Sequence, residues 1–268
     1  MKPNWLTRKL IISIALLSLS CVTVVTSPSI ASEPCAGTIT NRFAGASTST
    51  YSQSIFGARA LITRNIPAIC TSSVGSFGAS LIWTMVTAKS IDYPNTLEAN
   101  GWAQSGYANI GYQFGESVSG IFTFSQWTKS CKSNLNCVGA EVVTMYTPAP
   151  SASANYYSTF RRASSGRIEM WGNGLKITEM AYNTQGTWQA QWQAQYYAET
   201  FFQGDDAAGT SSNKASLTNI QYYDSNGNLE FAALGPIFVS SNSPRNHATK
   251  WNPTSGGTGL KIWTDPLN

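Results

Sequence analysis

Histidine is almost missing from this chain: His247 is the only one in 268 residues. Metal sites built on imidazole therefore run out of ligands. A Ser-His-Asp triad would have to use His247, and no Gly-x-Ser-x-Gly turn exists to present its serine. A solvated loop histidine is the expectation. Charge is scarce too, with Asp, Glu, Lys and Arg at 11%. Lys2, Arg8 and Lys9 are three of the 17 basic residues and precede an apolar stretch, whereas all 13 acidic residues follow it. The remainder holds 14 basic against 13 acidic residues, a net charge of about +1. No basic stripe marks a nucleic-acid partner. No phosphate-cradling glycine loop occurs, and neither a metal nor a cofactor is expected. Helices are excluded as well, because beyond the N-terminal segment no run of about ten residues shows a 3.6-residue period. No repeat of fixed period points to a propeller. Prolines spoil the glycosylation sequons at Asn242 and Asn252.

Aromatic residues are plentiful, with 9 Trp and 12 Tyr. Ser, Thr, Gly and Gln fill much of the rest, a composition that suits an extracellular β-sandwich. The N-terminus reads as a secretory signal: a basic start, an apolar run over Leu10–Leu19, and Ser29-Ile30-Ala31 as a cleavage site. Residues 1–31 are thus expected to leave, and 32–268 to form one secreted sandwich domain with no membrane span. Lipidation at Cys21 is the lesser alternative. Cys35, Cys70, Cys131 and Cys137 remain either way, which in an exported chain suggests two disulfides. Cys131 and Cys137 flank a turn-like Lys-Ser-Asn-Leu-Asn, so they are expected to pair, leaving Cys35 with Cys70.

Short β-rich runs with frequent turns predict a sandwich or barrel. Strands are expected at 57–66, 80–87, 102–114, 120–127, 140–145, 156–162, 167–171, 175–182, 188–199, 217–223, 229–231 and 260–263. Residues 32–55 read as a polar edge cover, and 240–258 as a long loop. Gly172-Asn173-Gly174 and Asp224-Ser-Asn-Gly-Asn228 read as hairpin turns. The second has oxygen donors at alternate positions, as some calcium loops do, but its glycine is misplaced for an EF-hand.

The sharpest pattern is Trp188–Glu199. Trp188, Ala190, Trp192, Ala194, Tyr196 and Ala198 alternate with Gln189, Gln191, Gln193, Gln195, Tyr197 and Glu199. Successive strand side chains point to opposite faces, so one face is apolar and the other carries amides. The Trp–Ala alternation suits a packed inner face. In-register glutamines can donate to and accept from an extended polymer, and Tyr197 can stack beside it. Tyr107 is placed with this ligand-facing set, and Trp102, Tyr112, Tyr156 and Tyr157 are further candidates for it. Glu199 puts an acid or base at the end of the amide face.

Tyr197-Ala-Glu-Thr-Phe-Phe-Gln203, followed by a Gly-containing loop and Leu217-Thr-Asn-Ile220, is similar to the region around the catalytic Glu of eqolisin-type glutamic peptidases. That family usually carries Ala-Glu-Trp-x-x-Glu there; here Thr200 replaces the Trp and Gln203 the second acid. Trp102-Ala-Gln-Ser-Gly106 resembles the family's Gln-Thr-Gly segment. The resemblance implies a concanavalin-like jelly roll of two antiparallel sheets. It also implies Glu199 as general base and then acid, with Gln104 stabilising the oxyanion. The Glu-x-Asp-x-x-Glu pattern of jelly-roll glucanases is absent. Two readings follow. The first is a binding protein for a polysaccharide or cell-surface polymer in a concave, Gln-rich groove. The second is an acid-active endopeptidase with a Gln104/Glu199 dyad, acting on a polypeptide.

Overall fold

The computed structural model describes residues 42–49, 51–63, 65, 78–90, 100–112, 120–131, 143–148, 153–186, 188–200, 205–242, 245–253 and 256–265. The strands among them are β1 Arg42–Thr48, β2 Gly57–Thr63, β3 Gly78–Ser90, β4 Asn100–Tyr112, β5 Gly120–Cys131, β6 Val143–Pro148, β7 Ala154–Arg161 and β8 Ile168–Gly172. They continue with β9 Leu175–Glu179, β10 Trp188–Thr200, β11 Ala215–Tyr223, β12 Leu229–Phe231, β13 Leu234–Val239, β14 Asn246–Trp251 and β15 Gly259–Thr264. A short 3-10 turn covers Thr184–Gly186, and no described residue lies in an α-helix. Among the described residues no helix is long and apolar enough to cross a membrane.

Two antiparallel sheets result, as the fold-class reading required. One runs β13-β1-β10-β3-β4-β5-β6 and the other β14-β15-β11-β2-β7-β8-β9, with β12 beside β11. Period-two alternation sends Ile82, Val86, Tyr107, Ala194, Tyr196 and Ala198 of the first sheet into one core with Ala58, Ala60, Ile62, Tyr157, Met170, Leu217 and Ile262 of the second. The Tyr196 hydroxyl donates to the Gln221 carbonyl, 2.6 Å away across that core. Each buried aliphatic side chain contributes about 1.5–3 kcal/mol. Exposed ion pairs such as Arg167–Glu179 contribute little, so packing governs stability.

Two segments differ from expectation. Residues 42–48 are not an edge cover: β1 lies inside the first sheet, between β13 and β10. Its Ala44 and Ala46 are fully buried, small residues where larger neighbours fill the core. Residues 246–251 are not loop: β14 pairs with β15 from Asn246↔Thr264 to Trp251↔Gly259. His247 therefore sits on a strand. Its ring stacks on Trp263 at 5.2 Å, and Nε2 lies 2.8 Å from the Asp265 carboxylate. The expected leader, Cys21, Cys35, Cys70 and Cys137 fall outside the described residues, and Cys131 ends β5.

Both hairpin turns form. Asn173 (φ 50°) and Gly174 (φ 77°) take the two left-handed positions of a tight turn between β8 and β9. Asp224 closes the other. Its Oδ1 accepts from the Asn226 and Asn228 amides at 2.8 and 2.7 Å, and Oδ2 from Asn228 Nδ2 at 3.1 Å. Both carboxylate oxygens thus already accept hydrogen bonds, and among the described residues no acidic or His/Cys cluster could hold a metal. Desolvation works against ionisation of Asp224, but the hydrogen bonds from Asn228, Asn226 and Gly227 prevail and hold it below the usual range. A depressed folded value means the turn is supported above the unfolded pKa and released as pH falls through the folded one. In an NMR pH titration the Asn226 and Asn228 amide shifts are expected to move with a midpoint below about 3.9. A midpoint at or above that value would refute the assignment.

Candidate functional site

β10 brings the candidate residues together because its second half keeps strict alternation. From Trp192 to Thr200 it pairs residue by residue with β3. The register then defines rows across the outer face of the first sheet. Phe43, Glu199, Leu81, Ala108 and Phe122 make one row. Phe238, Gly45, Tyr197, Trp83, Gly106 and Phe124 make the next. Ser47, Gln195, Met85, Gln104 and Gln126 follow, and then Gln193, Thr87, Trp102 and Thr128.

The first two rows are aromatic. Tyr197 lies 5.5 Å from Trp83, 6.3 Å from Phe43 and 6.3 Å from Phe238 between ring centroids. Phe238 is 51% exposed and forms the open end of this cluster. Burial pushes the Tyr197 hydroxyl up, against a weaker opposing effect of its hydrogen bond with Ser47. Glu199 is only 6% exposed, and its Oε2 accepts from Trp83 Nε1 at 3.0 Å.

The next two rows carry the four glutamines, three in the first and Gln193 in the second. Gln195 Nε2 donates to Gln193 Oε1 at 2.9 Å, and Gln193 Nε2 to the Thr48 carbonyl at 2.9 Å. Gln104, 4% exposed, donates through Nε2 to Gln126 Oε1 at 2.8 Å. These bonds fix the amide planes; Gln126, Gln193 and Gln195 are half-buried, whereas Gln104 is almost wholly buried.

Gln104 and Glu199 thus share a face, but the register does not pair them. Glu199 stands in the row of Ala108, four residues from Gln104, with β3 between their strands. That is roughly 13 Å along the strands and about 10 Å across them. Gln104 also turns its amide toward Gln126, on the side of β4 away from Glu199.

Three glutamine-face assignments change. The pairing of β10 with β3 shifts between Trp188 and Trp192, so a bulge interrupts the amide row. Gln191 and Ala190 are exposed there, and Gln189 lines a separate cleft with Trp188 and Trp192. Tyr107 is not ligand-facing: it is 1% exposed in the core, because its strand parity matches Ala103 and Ser105 rather than Gln104. Its hydroxyl accepts from the Asn65 amide at 2.9 Å and donates to the Thr63 carbonyl at 3.0 Å. Tyr107→Phe is expected to cost about 1–2 kcal/mol in denaturant unfolding, by orphaning that amide. A variant as stable as the parent would show that the Asn65 amide does not depend on this hydroxyl. Tyr157 is likewise core, and Tyr156 lies on the other sheet beneath Arg59, whose guanidinium carbon is 4.1 Å from the ring. Trp102 remains on the amide face, half-buried.

Sequence reasoning missed Trp83, Phe43 and Gln126. Gln126 was readable, since Phe122, Phe124 and Gln126 alternate in one run. Trp83 could be placed only once β3 was known to lie beside β10.

No protein-family model matches the chain, and no curated protein matches it. Among solved structures it is similar to scytalido-glutamic peptidase with a transition-state analogue inhibitor: 14% identity, 85% of this chain and 100% of that one covered, TM-score 0.48. It is also similar to SCP-B, a member of the eqolisin family in complex with the tripeptide Ala-Ile-His, at 14% identity, 85% and 100% coverage and TM-score 0.46. The chain bears a weak resemblance in fold to the glutamic peptidases. A third similar structure is the kappa-carrageenase from Pseudoalteromonas carrageenovora with an oligotetrasaccharide of kappa-carrageenan, at 10% identity, 82% and 65% coverage and TM-score 0.29. At these identities the likeness is one of fold.

Proposed function

We propose that the protein binds an extended, uncharged polysaccharide across the amide rows of the first sheet. One observation carries this reading: Gln195, Gln104 and Gln126 stand in a single row over β10, β4 and β5, with Gln193 and Trp102 beside them. A row crossing the strands offers donors and acceptors at inter-strand spacing, about 4.8 Å. A chain of hydroxyl-bearing rings laid across the strands meets amides over β10, β4 and β5 and the Met85 side chain over β3. The half-buried Tyr197, backed by the buried Trp83, walls one side, where a sugar face can pack. No side-chain cation or carboxylate stands in either amide row, which favours a neutral ligand.

The test is a glycan array followed by titration of the best ligand. Replacing Gln104 and Gln195 together by Leu is expected to weaken binding at least tenfold, about 1.4 kcal/mol. Equal binding by the folded double variant would sink the proposal.

The peptidase reading keeps one supporting observation, the buried Glu199 carboxylate on the same face as Gln104. It needs the two groups to act on one carbonyl, which calls for side chains within about 3 Å of a shared site. Under the polysaccharide reading, no cleavage of a denatured protein substrate is expected at acid pH. Cleavage that disappears in Glu199→Gln would establish the peptidase instead.

A further inference from the structure

A second recess lies apart from the amide face. It is a cleft of about 500 Å³ lined by Phe56, Arg161, Thr184, Gln185, Trp188, Gln189, Ala190 and Trp192. Its volume falls within the range of small-ligand sites. The bulge in β10 shapes its rim by exposing Ala190 beside the two buried tryptophans. Its walls are rings: Trp192 packs against Phe56 at 5.4 Å and edge-on against Trp188 at 5.2 Å. Trp192 Nε1 donates to the Gln189 carbonyl at 3.0 Å, which holds the indole in place.

Arg161 is the anomaly. Its guanidinium carbon stands 5.4 Å from the Phe56 ring centre, and its Nε is buried without a hydrogen-bond partner. The adjacent Arg162 differs: it holds Glu169 at 2.7 Å. Among the described residues no carboxylate answers Arg161. A buried donor on a charged group is costly to leave unmet, and a guanidinium fork matches a carboxylate with two parallel bonds.

We propose that this cleft binds an anionic sugar unit, a uronate whose carboxylate meets Arg161 and whose ring packs on Trp188, Trp192 or Phe56. Gln185 and Gln189 supply amides for its hydroxyls. The main chain disfavours a peptide. Trp192 N–H and C=O are both paired with Ser52, at 3.0 and 2.7 Å. Phe56 is paired through its amide to Tyr223 and through its carbonyl to Arg161. No free strand edge at these residues can take an extended chain, so side chains must do the recognising. This site is independent of the amide rows and stands whether or not they bind polysaccharide.

The experiment titrates the mature protein with glucuronate, glucose and N-acetylphenylalaninate, followed by ligand-observed NMR and indole fluorescence. Glucuronate is expected to bind at least tenfold more tightly than glucose, and Arg161→Gln to remove that preference. Gln189→Ala, a change at the cleft rim, is expected to weaken glucuronate several-fold with the thermal melt unchanged, so the test survives if the arginine variant misfolds. Equal binding of glucuronate and glucose, or an unchanged preference in a folded Arg161→Gln, would overturn the proposal. Tighter binding of N-acetylphenylalaninate than of glucuronate would also overturn it, in favour of an aromatic carboxylate or chain terminus.

Discussion

Gly106→Ala is expected to destabilise the protein by about 3 kcal/mol or more, the upper end of overpacking costs. The reason is main-chain contact. A methyl group at 106 would fall on the Ile82 carbonyl oxygen and lie 2.8 Å from Trp83 Cα. Neither is a side chain that can swing aside, and β3 and β4 pair along their whole length. Gly174→Ala serves as the comparison. Its added methyl meets nothing within 4 Å, and only its φ of 77° is unfavourable, so a cost of about 1 kcal/mol is expected. Denaturant midpoints of the two variants decide the matter: equal costs would show that strand approach at Gly106 is not tight. Gly45 has the same character on the far side of the aromatic pair, where a methyl would meet the Tyr196 carbonyl and Tyr197 Cα. Tyr197 and Trp83 therefore stand between two positions that can carry no side chain, and the outer flanks of both rings lack a neighbour in their own row.

Glu199→Ala is the second large effect, at about 2–3 kcal/mol from a vacated volume and an orphaned donor. The donor is Trp83 Nε1. Glu199→Gln keeps an oxygen acceptor and nearly the same volume, so it should stay within about 1 kcal/mol of the parent. This pair of variants separates position from chemistry. If Glu199 serves to orient Trp83, the glutamine variant keeps both stability and the proposed polysaccharide affinity. If it acts on a peptide bond, the glutamine variant is equally stable and loses acid-pH cleavage. An alanine variant as stable as the parent would remove the structural role.

Sequence reading reached most of the fold where the coding is local. Asn173-Gly174 carries its own turn, and Trp192–Thr200 carries its own alternation, so both elements formed where expected. It failed where burial comes from neighbours. Ala44 and Ala46 look like loop residues until β10 and β13 enclose them. The Asn-His-Ala-Thr-Lys-Trp of β14 has little apolar pattern and is a strand because β15 lies beside it. The bulge at 189–191 leaves no mark on a regular Trp–Gln–Ala–Gln run, and it redirects Gln189 and Gln191. The site was legible in composition but not in register. That Gln104 and Glu199 share a face, and how far apart they stand on it, is decided by how β3 pairs on both sides, which no local pattern encodes.

The strand order also dictates when the molecule can fold. β1 finds its neighbours in β10 and β13, and one neighbour of β2 is β11. β1 must therefore wait, without its sheet neighbours, until the last third of the chain has emerged, and β2, though it meets β7 earlier, gains its second neighbour only then. Closing such long loops puts the protein among slow, high-contact-order folders. A chain cut just before β10 keeps β3 to β9 but deprives β1 of every sheet neighbour, and it is expected to stay unfolded by circular dichroism. Maturation of this sandwich is in that sense an event of the C-terminus, however early its recognisable strands appear.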